Sequence, residues 1–232
     1  MSKVIIIIPA RMDGKRLPGK PMMRAGGLPL IHWVYLLAKQ VVGAEVLVAT
    51  PDVTISNYCD RNGIPWEPTD ESTPTGTHRC AEVLAHSERC RDADVVVNWQ
   101  GDTLAGPADV KRMIFRAKDG PLKIWTLVGP LSGKERDDPN VVKVDVYDGR
   151  AWWFARTNDP FAEHHIGVYT YSAKMLKELG ELKPTVLSEA KSLEQLAWLQ
   201  AGYTIKVERV LTTPLSINTR ADWDKFKKTK EG

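Results

Sequence analysis

Val4-Ile5-Ile6-Ile7-Ile8, closed by Pro9-Ala10-Arg11, is the stretch of this chain that decides its fold. Five β-branched residues in a row leave neither face of a strand polar, which suits a central strand of a parallel sheet covered by helices on both sides. Working outward, Leu30, Val34, Leu37, Ala38 and Val41 recur at helical spacing and Gly43 follows as a stop signal. Residues 46–49 read as a second strand, 52–61 as a helix ending at Asn62-Gly63, and 64–66 as a short third strand. A helix over 76–89 carries Cys80, Val83 and Leu84 on one face and leads into a further apolar strand at 94–98. Strands alternating with helices predict an α/β fold with a doubly wound, mostly parallel mixed sheet, in which ligands sit beyond the carboxyl ends of the strands. Chemistry is therefore expected in the loops after Ile8 and Asn98.

The second half is richer in strands, at 123–128, 141–146, 151–155, 166–171 and 204–207, with Asp148-Gly149 as a hairpin turn signal. Helices are expected at 173–179 and 188–201, and a last one after Thr219. A length of 232 residues fits a single domain, with a nucleotide-binding half over about 1–120 and a substrate or lid half over about 121–232.

Composition narrows the function. Thirty-two basic residues against 29 acidic give a formal charge of +3, and the one dense basic cluster lies at 225–230, so no nucleic-acid groove is expected; the cluster reads as a solvated, fraying terminal helix. Cys59, Cys80 and Cys90 are odd in number and lack close metal-ligand spacing, as reduced packing residues would. The apolar run at 4–8 is too short to span a membrane or form a signal core, so a cytoplasmic protein without a membrane partner is expected.

The loop that follows the first strand reads Pro9-Ala-Arg-Met-Asp-Gly-Lys-Arg-Leu-Pro-Gly-Lys-Pro21. It sets Arg11, Lys15, Arg16 and Lys20 where a triphosphate needs cations, in a segment stiffened by proline. It has neither the G-x-G-x-x-G of dinucleotide folds nor the G-x-x-x-x-G-K-[ST] of phosphate-binding loops. That disfavours a dehydrogenase and leaves neutralisation to side chains.

These residues carry a resemblance. The pattern Ile-Pro-Ala-Arg-x4-Arg-Leu-Pro-Gly-Lys-Pro at 8–21 resembles the signature of the 3-deoxy-manno-octulosonate (Kdo) cytidylyltransferases, whose fold is that of nucleotide-diphospho-sugar transferases. Thr75-Gly76-Thr77 with Arg79, Val97-Asn-Trp-Gln-Gly-Asp102, Trp153-Phe-Ala-Arg156, His165-Ile-Gly-Val-Tyr169 and Leu193-Glu-Gln-Leu196 follow in the family's order. The resemblance implies CMP transfer from CTP to a sugar acid with release of pyrophosphate, and a homodimer whose strand-rich half serves the substrate and dimerisation. It implies Arg11, Arg16, Lys20 and Asp102 as catalytic residues, Pro9, Ala10, Arg11, Lys20, Thr75, Gly76, Thr77 and Arg79 around the nucleotide, and Gln100, Arg156, His165, Tyr169, Glu194 and Gln195 around the sugar acid. It also implies Mg²⁺ on Asp102, a carboxylate after a buried strand being able to hold a hard cation beside phosphates.

The chain departs from that pattern in places. Ile217-Asn218-Thr219 stands where the family has an Asp-Thr pair, so Asn218 would offer the metal an uncharged oxygen, with Asp222 one helical turn on as a substitute. Gly101-Asp-Thr-Leu104 replaces Gly-Asp-Glu-Pro, the segment between Arg156 and His165 is short, and Ala197 stands where an arginine is expected. Two alternatives stay open: another acceptor, such as an amino-sugar analogue of Kdo or a nonulosonic acid, and a nucleotide-binding paralogue that has lost catalysis.

Overall fold

The computed structural model describes residues 2–14, 16–117 and 124–231. Lys15 and the first residue of the strand expected at 123–128 lie outside them. In chain order the elements begin with β1 (Val4–Pro9), the two-residue strands β2 (Arg24–Ala25) and β3 (Leu28–Pro29), α1 (Leu30–Ala38), β4 (Ala44–Thr50), α2 (Val53–Arg61), β5 (Trp66–Pro68), α3 (Gly76–His86) and β6 (Val95–Trp99). They continue with α4 (Pro107–Ala117), β7 (Ile124–Gly129), α5 (Gly133–Arg136), β8 (Lys143–Tyr147), β9 (Arg150–Ala155), β10 (Glu163–Ser172), α6 (Ala173–Glu181), α7 (Val186–Lys191), α8 (Gln195–Gln200), β11 (Ile205–Arg209) and α9 (Arg220–Glu231).

One sheet runs through both halves in the order β5-β4-β1-β6-β10-β7-β11-β9-β8. β1 pairs in parallel with β4 on one side and β6 on the other, and β5 extends the parallel set beyond β4. β10 then enters antiparallel between β6 and β7, which makes the sheet mixed. All six residues of β1 are buried, and their alternation divides the core: Val4, Ile6 and Ile8 pack with α1, α2, α4 and α9, whereas Ile5 and Ile7 pack with α3, α6 and α8. Helices thus cover both faces, as the unbroken β-branched run requires. The chain winds from β1 toward β5 and returns to place β6 on the opposite side of β1, so the β1 and β6 loops leave the sheet at its switch point.

Several elements differ from the sequence reading. The third strand pairs through Trp66–Pro68 rather than 64–66, its register being set by β4, where Val48 pairs with Trp66. α4 was not anticipated, although Val110, Met113, Ile114 and Ala117 form its buried stripe. The helix expected over 188–201 is two helices, broken at Ser192, whose φ of 52° puts it in the left-handed region. The hairpin signal Asp148-Gly149 joins β8 to β9 with both residues at positive φ, the requirement of a type I′ turn. The basic terminal helix does not stand free: α9 buries Trp223 and Phe226, and the Lys230 ammonium lies 4.2 Å from the centre of the Trp33 ring.

Candidate active site

The β1 loop folds back on itself before it reaches the first short helical turn. Gly19 donates to the Met12 carbonyl at 2.8 Å, and the Met12 amide donates to Asp52 Oδ2 at 3.0 Å. Asp52 was expected to begin α2; it sits at the N-cap, yet its carboxylate serves the loop and not the helix. Three cations emerge from this frame. Lys20 Nζ lies 2.5 Å from Asp102 Oδ2 and donates to the Ile217 carbonyl at 2.8 Å. Arg16 reaches Asn140 Oδ1 at 3.3 Å, and the exposed Arg11 pairs with Asp13 at 3.0 Å. Pro9 and Ala10 are buried at the strand end, where the Ala10 amide donates to the Ala49 carbonyl.

The β6 loop meets the β1 loop closely. A Cβ on Gly101 would lie 2.9 Å from the Pro9 carbonyl oxygen, so only glycine lets the two loops touch there. Asp102 follows, with its backbone carbonyl accepting from the Ile217 amide at 2.9 Å and Thr103 donating to its Oδ1 at 3.2 Å. Asn218 lines the same cavity as Asp102. Asp222, weighed as a substitute ligand, is occupied otherwise: Oδ2 accepts from the Asn218 and Thr219 amides at 3.0 and 2.8 Å, and the Asp222 amide donates back to the Thr219 hydroxyl. That is a capping box for α9, which holds the carboxylate on its own helix.

Thr75 caps α3, accepting from the His78 amide, and Gly76 lies against the Gln100 side chain. Gln100 donates to Asn98 Oδ1 at 3.1 Å, and Asn98 donates to Thr77 Oγ1 at 3.2 Å. Thr77 and Arg79 were read as nucleotide-facing, but both point inward. Thr77 is fully buried against the Tyr171 hydroxyl, and Arg79 donates to Thr69 Oγ1 and to the carbonyls of Asp70 and Thr73. Burial depresses the Arg79 guanidinium, which makes it a pin for the loop ahead of α3.

A buried wall from β9, β10 and the start of α8 faces these loops. His165 is buried and lies within 3.1 Å of Thr126 Oγ1, with its ring edge-on to Phe154. Burial, with His164 and Arg156 nearby, lowers its pKa to about 3, so the ring is neutral near pH 7. Gln195 donates to the buried Tyr169 hydroxyl. Burial raises the Glu194 carboxyl, opposed by the hydroxyls of Thr75 and Thr77 and by His78. Arg156 donates to the carbonyls of Pro139, Asn140 and Ser192 at 3.2, 3.3 and 3.4 Å. Lys143, buried behind it, donates to the carbonyls of Asp138, Val141 and Arg156. Burial and then Arg16 lower the Arg156 pKa: these cations are held by neutral oxygens and repel one another, an environment that favours an anion.

Loops and wall enclose one cavity of about 1040 Å³. It brings together Arg11, Arg16, Lys20, Thr75, Gly76, Gln100, Asp102 and Asn218 on one side with Arg156, His165, Tyr169, Glu194 and Gln195 on the other. Asn140, Lys143, His78 and His164 were not singled out in the sequence. Asn140 reaches the cavity from a turn that carries no motif, His78 is the unassigned position inside the Thr75–Arg79 segment on α3, His164 directly precedes the His165–Tyr169 segment on β10, and Lys143 supports the cavity from behind. Among the described residues no group of three or more Asp, Glu, His or Cys could hold a metal ion alone. Asp102 and the Asn218 amide fit Mg²⁺ in another way, since that ion keeps several waters and is commonly bound by one or two protein oxygens together with substrate phosphates.

A doubly wound sheet with cations and a carboxylate meeting across its switch point defines a nucleotidyltransferase, and the model of the cytidylyltransferase family matches residues 5–207. The chain is 35% identical to the 3-deoxy-manno-octulosonate cytidylyltransferase of Escherichia coli over 98% of this chain and 96% of that one. It is 37% identical to the enzyme of that name from Rhodospirillum centenum, over 95% and 91%. A solved structure of CMP:2-keto-3-deoxy-manno-octonic acid synthetase complexed with CTP superposes with a TM-score of 0.88 at 33% identity, covering 99% of each chain. An inositol-1-phosphate CTP transferase from T. maritima shares the fold, with a TM-score of 0.69 at 15% identity. The chain belongs to the 3-deoxy-manno-octulosonate cytidylyltransferases.

Proposed function

We propose that this protein transfers CMP from CTP to Kdo, a hydroxyl of the sugar acid attacking the α-phosphorus in line and pyrophosphate leaving. The observation that carries the reading is the single cavity in which the cations of the β1 loop and Asp102 face the Arg156, His165 and Tyr169 wall. Arg11, Arg16 and Lys20 neutralise the triphosphate and stabilise charge developing on the phosphoryl oxygens. Arg156 meets the carboxylate of the acceptor; Tyr169, Glu194 and Gln195 offer hydrogen-bonding groups to its hydroxyls. Asp102 and Asn218 are the residues that would hold Mg²⁺, which supplies charge neutralisation at the phosphates when bound.

A pyrophosphate-release assay with each of the four nucleoside triphosphates against a panel of sugar acids, with and without Mg²⁺, tests this. Release with CTP and Kdo as the best pair is expected; preference for another nucleotide, or no release, overturns it. One observation favours a second acceptor: Ala197 lines the cavity where the family pattern has arginine, leaving that wall one cation poorer. A different 2-keto-3-deoxy sugar acid as best substrate in the same panel would establish that reading.

The protein is further proposed to work as a homodimer in the cytoplasm. Tyr147, Trp152 and Trp153 on the β8–β9 hairpin are exposed, and such an aromatic patch suits an interface. Sedimentation at a twofold monomer mass is expected. No described helix is long and apolar enough to cross a membrane.

A further inference from the structure

We propose that Asn140 is a positioning residue for the nucleotide, whose uncharged amide oxygen holds the Arg16 guanidinium in the cavity wall without neutralising it. This rests on the reading above, in which Arg16 meets the triphosphate. Asn140 lies in the turn between α5 and β8, 124 residues from Arg16 in sequence, and both line the cavity. The carboxamide nitrogen donates to Asp138 Oδ1 at 3.0 Å, and the Asn140 backbone N–H donates to the same oxygen at 2.8 Å. Those two bonds decide which way the carboxamide faces. Turned round, its oxygen would meet the Asp138 carboxylate and its NH₂ would meet a guanidinium, two repulsive contacts. Oδ1 therefore points at Arg16, 3.3 Å from Nη1.

The turn that carries Asn140 is held by its main chain. Lys143 Nζ donates to the carbonyls of Asp138 and Val141, Arg156 Nη1 donates to those of Pro139 and Asn140, and the His165 amide donates to that of Val142 at 2.9 Å. None of these bonds uses the Asn140 carboxamide. The side chain is thus free of a folding duty at its oxygen end, and that end is turned to the nucleotide side. Asn140 touches one cation from each end of the cavity: Arg16 at its side-chain oxygen and Arg156 at its backbone carbonyl.

The chemistry of the holder matters to the charge that is held. Arg11 and Lys20 each pair with a carboxylate, whereas among the described residues none pairs with Arg16, and Asn140 is its hydrogen-bond partner. An unheld arginine samples many rotamers, and a ligand that has to order it binds more weakly. A carboxylate at position 140 would order it too, but as an ion pair that the triphosphate must break and with a negative charge set beside the phosphates. The amide orders the guanidinium and leaves its charge to the ligand. Asp138, on the far side of the amide, polarises it and strengthens the acceptor that faces Arg16.

A double-mutant cycle read by calorimetric titration with CTP and Mg²⁺ tests the proposal, using the full chain as wild type, Asn140→Ala, Arg16→Ala and the double variant. Asn140→Ala keeps the backbone carbonyl that Arg156 uses and removes only the side chain. It is expected to weaken CTP binding about tenfold in the wild-type background and to change nothing further once Arg16 is alanine. Equal weakening in both backgrounds would mean that the side chain merely supports the turn, and no weakening in either would mean that it does not hold Arg16; each overturns the proposal. Asn140→Asp keeps an oxygen in place but adds the charge, and should bind CTP more weakly than Asn140→Ala. Binding as tight as wild type would show that the neutrality of the oxygen is immaterial, against what is proposed. A wild type that does not bind CTP at all would sink the assigned reaction and this inference together, an outcome distinct from a wild type that binds CTP and shows no coupling, which sinks this inference alone.

Discussion

The two ends of the cavity are built on opposite plans. At the nucleotide end the charged groups come from loops and reach into water: Arg11 is 42% exposed at its side chain and Lys20 17%. At the acceptor end the polar groups are sunk into the sheet, with His165 at 7%, Gln195 at 5%, Tyr169 at 2% and Lys143 at 1%. Long, solvated side chains can follow a triphosphate whose charge shifts as pyrophosphate leaves, whereas a sugar acid with fixed hydroxyls calls for a preformed wall. Electrostatics follow the same division, for burial moves the pKa values of Arg156, His164, His165 and Tyr169, all at the acceptor end.

The largest effect should appear where burial is deepest. His165 is depressed to about 3 in the fold and regains an ordinary value near 6.5 when unfolded, so the unfolded chain binds its proton first. Stability is complete above pH 6.5 and falls as the pH drops from there toward 3, by on the order of 4 kcal/mol at the bottom of the window. His165→Asn, which has no such proton to gain, should flatten that part of the curve in urea unfolding against pH, even if it is less stable at pH 7. An unchanged slope would break the contrast between the two ends.

At the nucleotide end, activity should move and the fold should not. Asp102→Asn is expected to lower CMP transfer about a thousandfold while the unfolding midpoint stays near wild type, because its partners are a lysine and the proposed ion. Lys20→Ala should reduce turnover by about a hundredfold and Arg11→Ala by about tenfold, the more exposed cation mattering less. Wild-type rates in both would remove the β1 loop from the site.

How far these sites were legible in the sequence follows the same line. The first half was readable because parallel, doubly buried strands are written as uninterrupted runs, of which Val4–Pro9 is the extreme case. The basic loop and Asp102 were found because they follow such strands directly. β10, by contrast, inserts antiparallel between β6 and β7 through pairings far apart in sequence, and no local pattern announces them. Ser192 breaks a helix without glycine or proline, and the residue types of Thr77 and Arg79 do not reveal that they point inward. α4 is the exception in the first half, its stripe of Val110, Met113, Ile114 and Ala117 being regular and local.

Two smaller changes sharpen the comparison. Arg156→Lys keeps the charge but loses the planar donors that reach three carbonyls, and should raise the KM for the sugar acid about tenfold with little change in that for CTP. Asn218→Asp should lower the Mg²⁺ concentration for half-maximal rate by about twofold to threefold, hard cations favouring anionic oxygen. A flat magnesium titration at saturating CTP would take Asn218 away from the ion.

The Lys20–Asp102 pair gives the nucleotide end a further property. The 2.5 Å contact means that the site carries its own countercharge before any ligand arrives. A lone phosphate can replace only the carboxylate half of that pair, and a lone divalent cation only the ammonium half; either leaves a partly buried charge unmatched, a costly outcome. A triphosphate that brings its own cation replaces both at once, with charge conserved throughout. The pair is thus a two-key lock, closed to the inorganic ions that surround it and opened by a nucleotide and metal turned together.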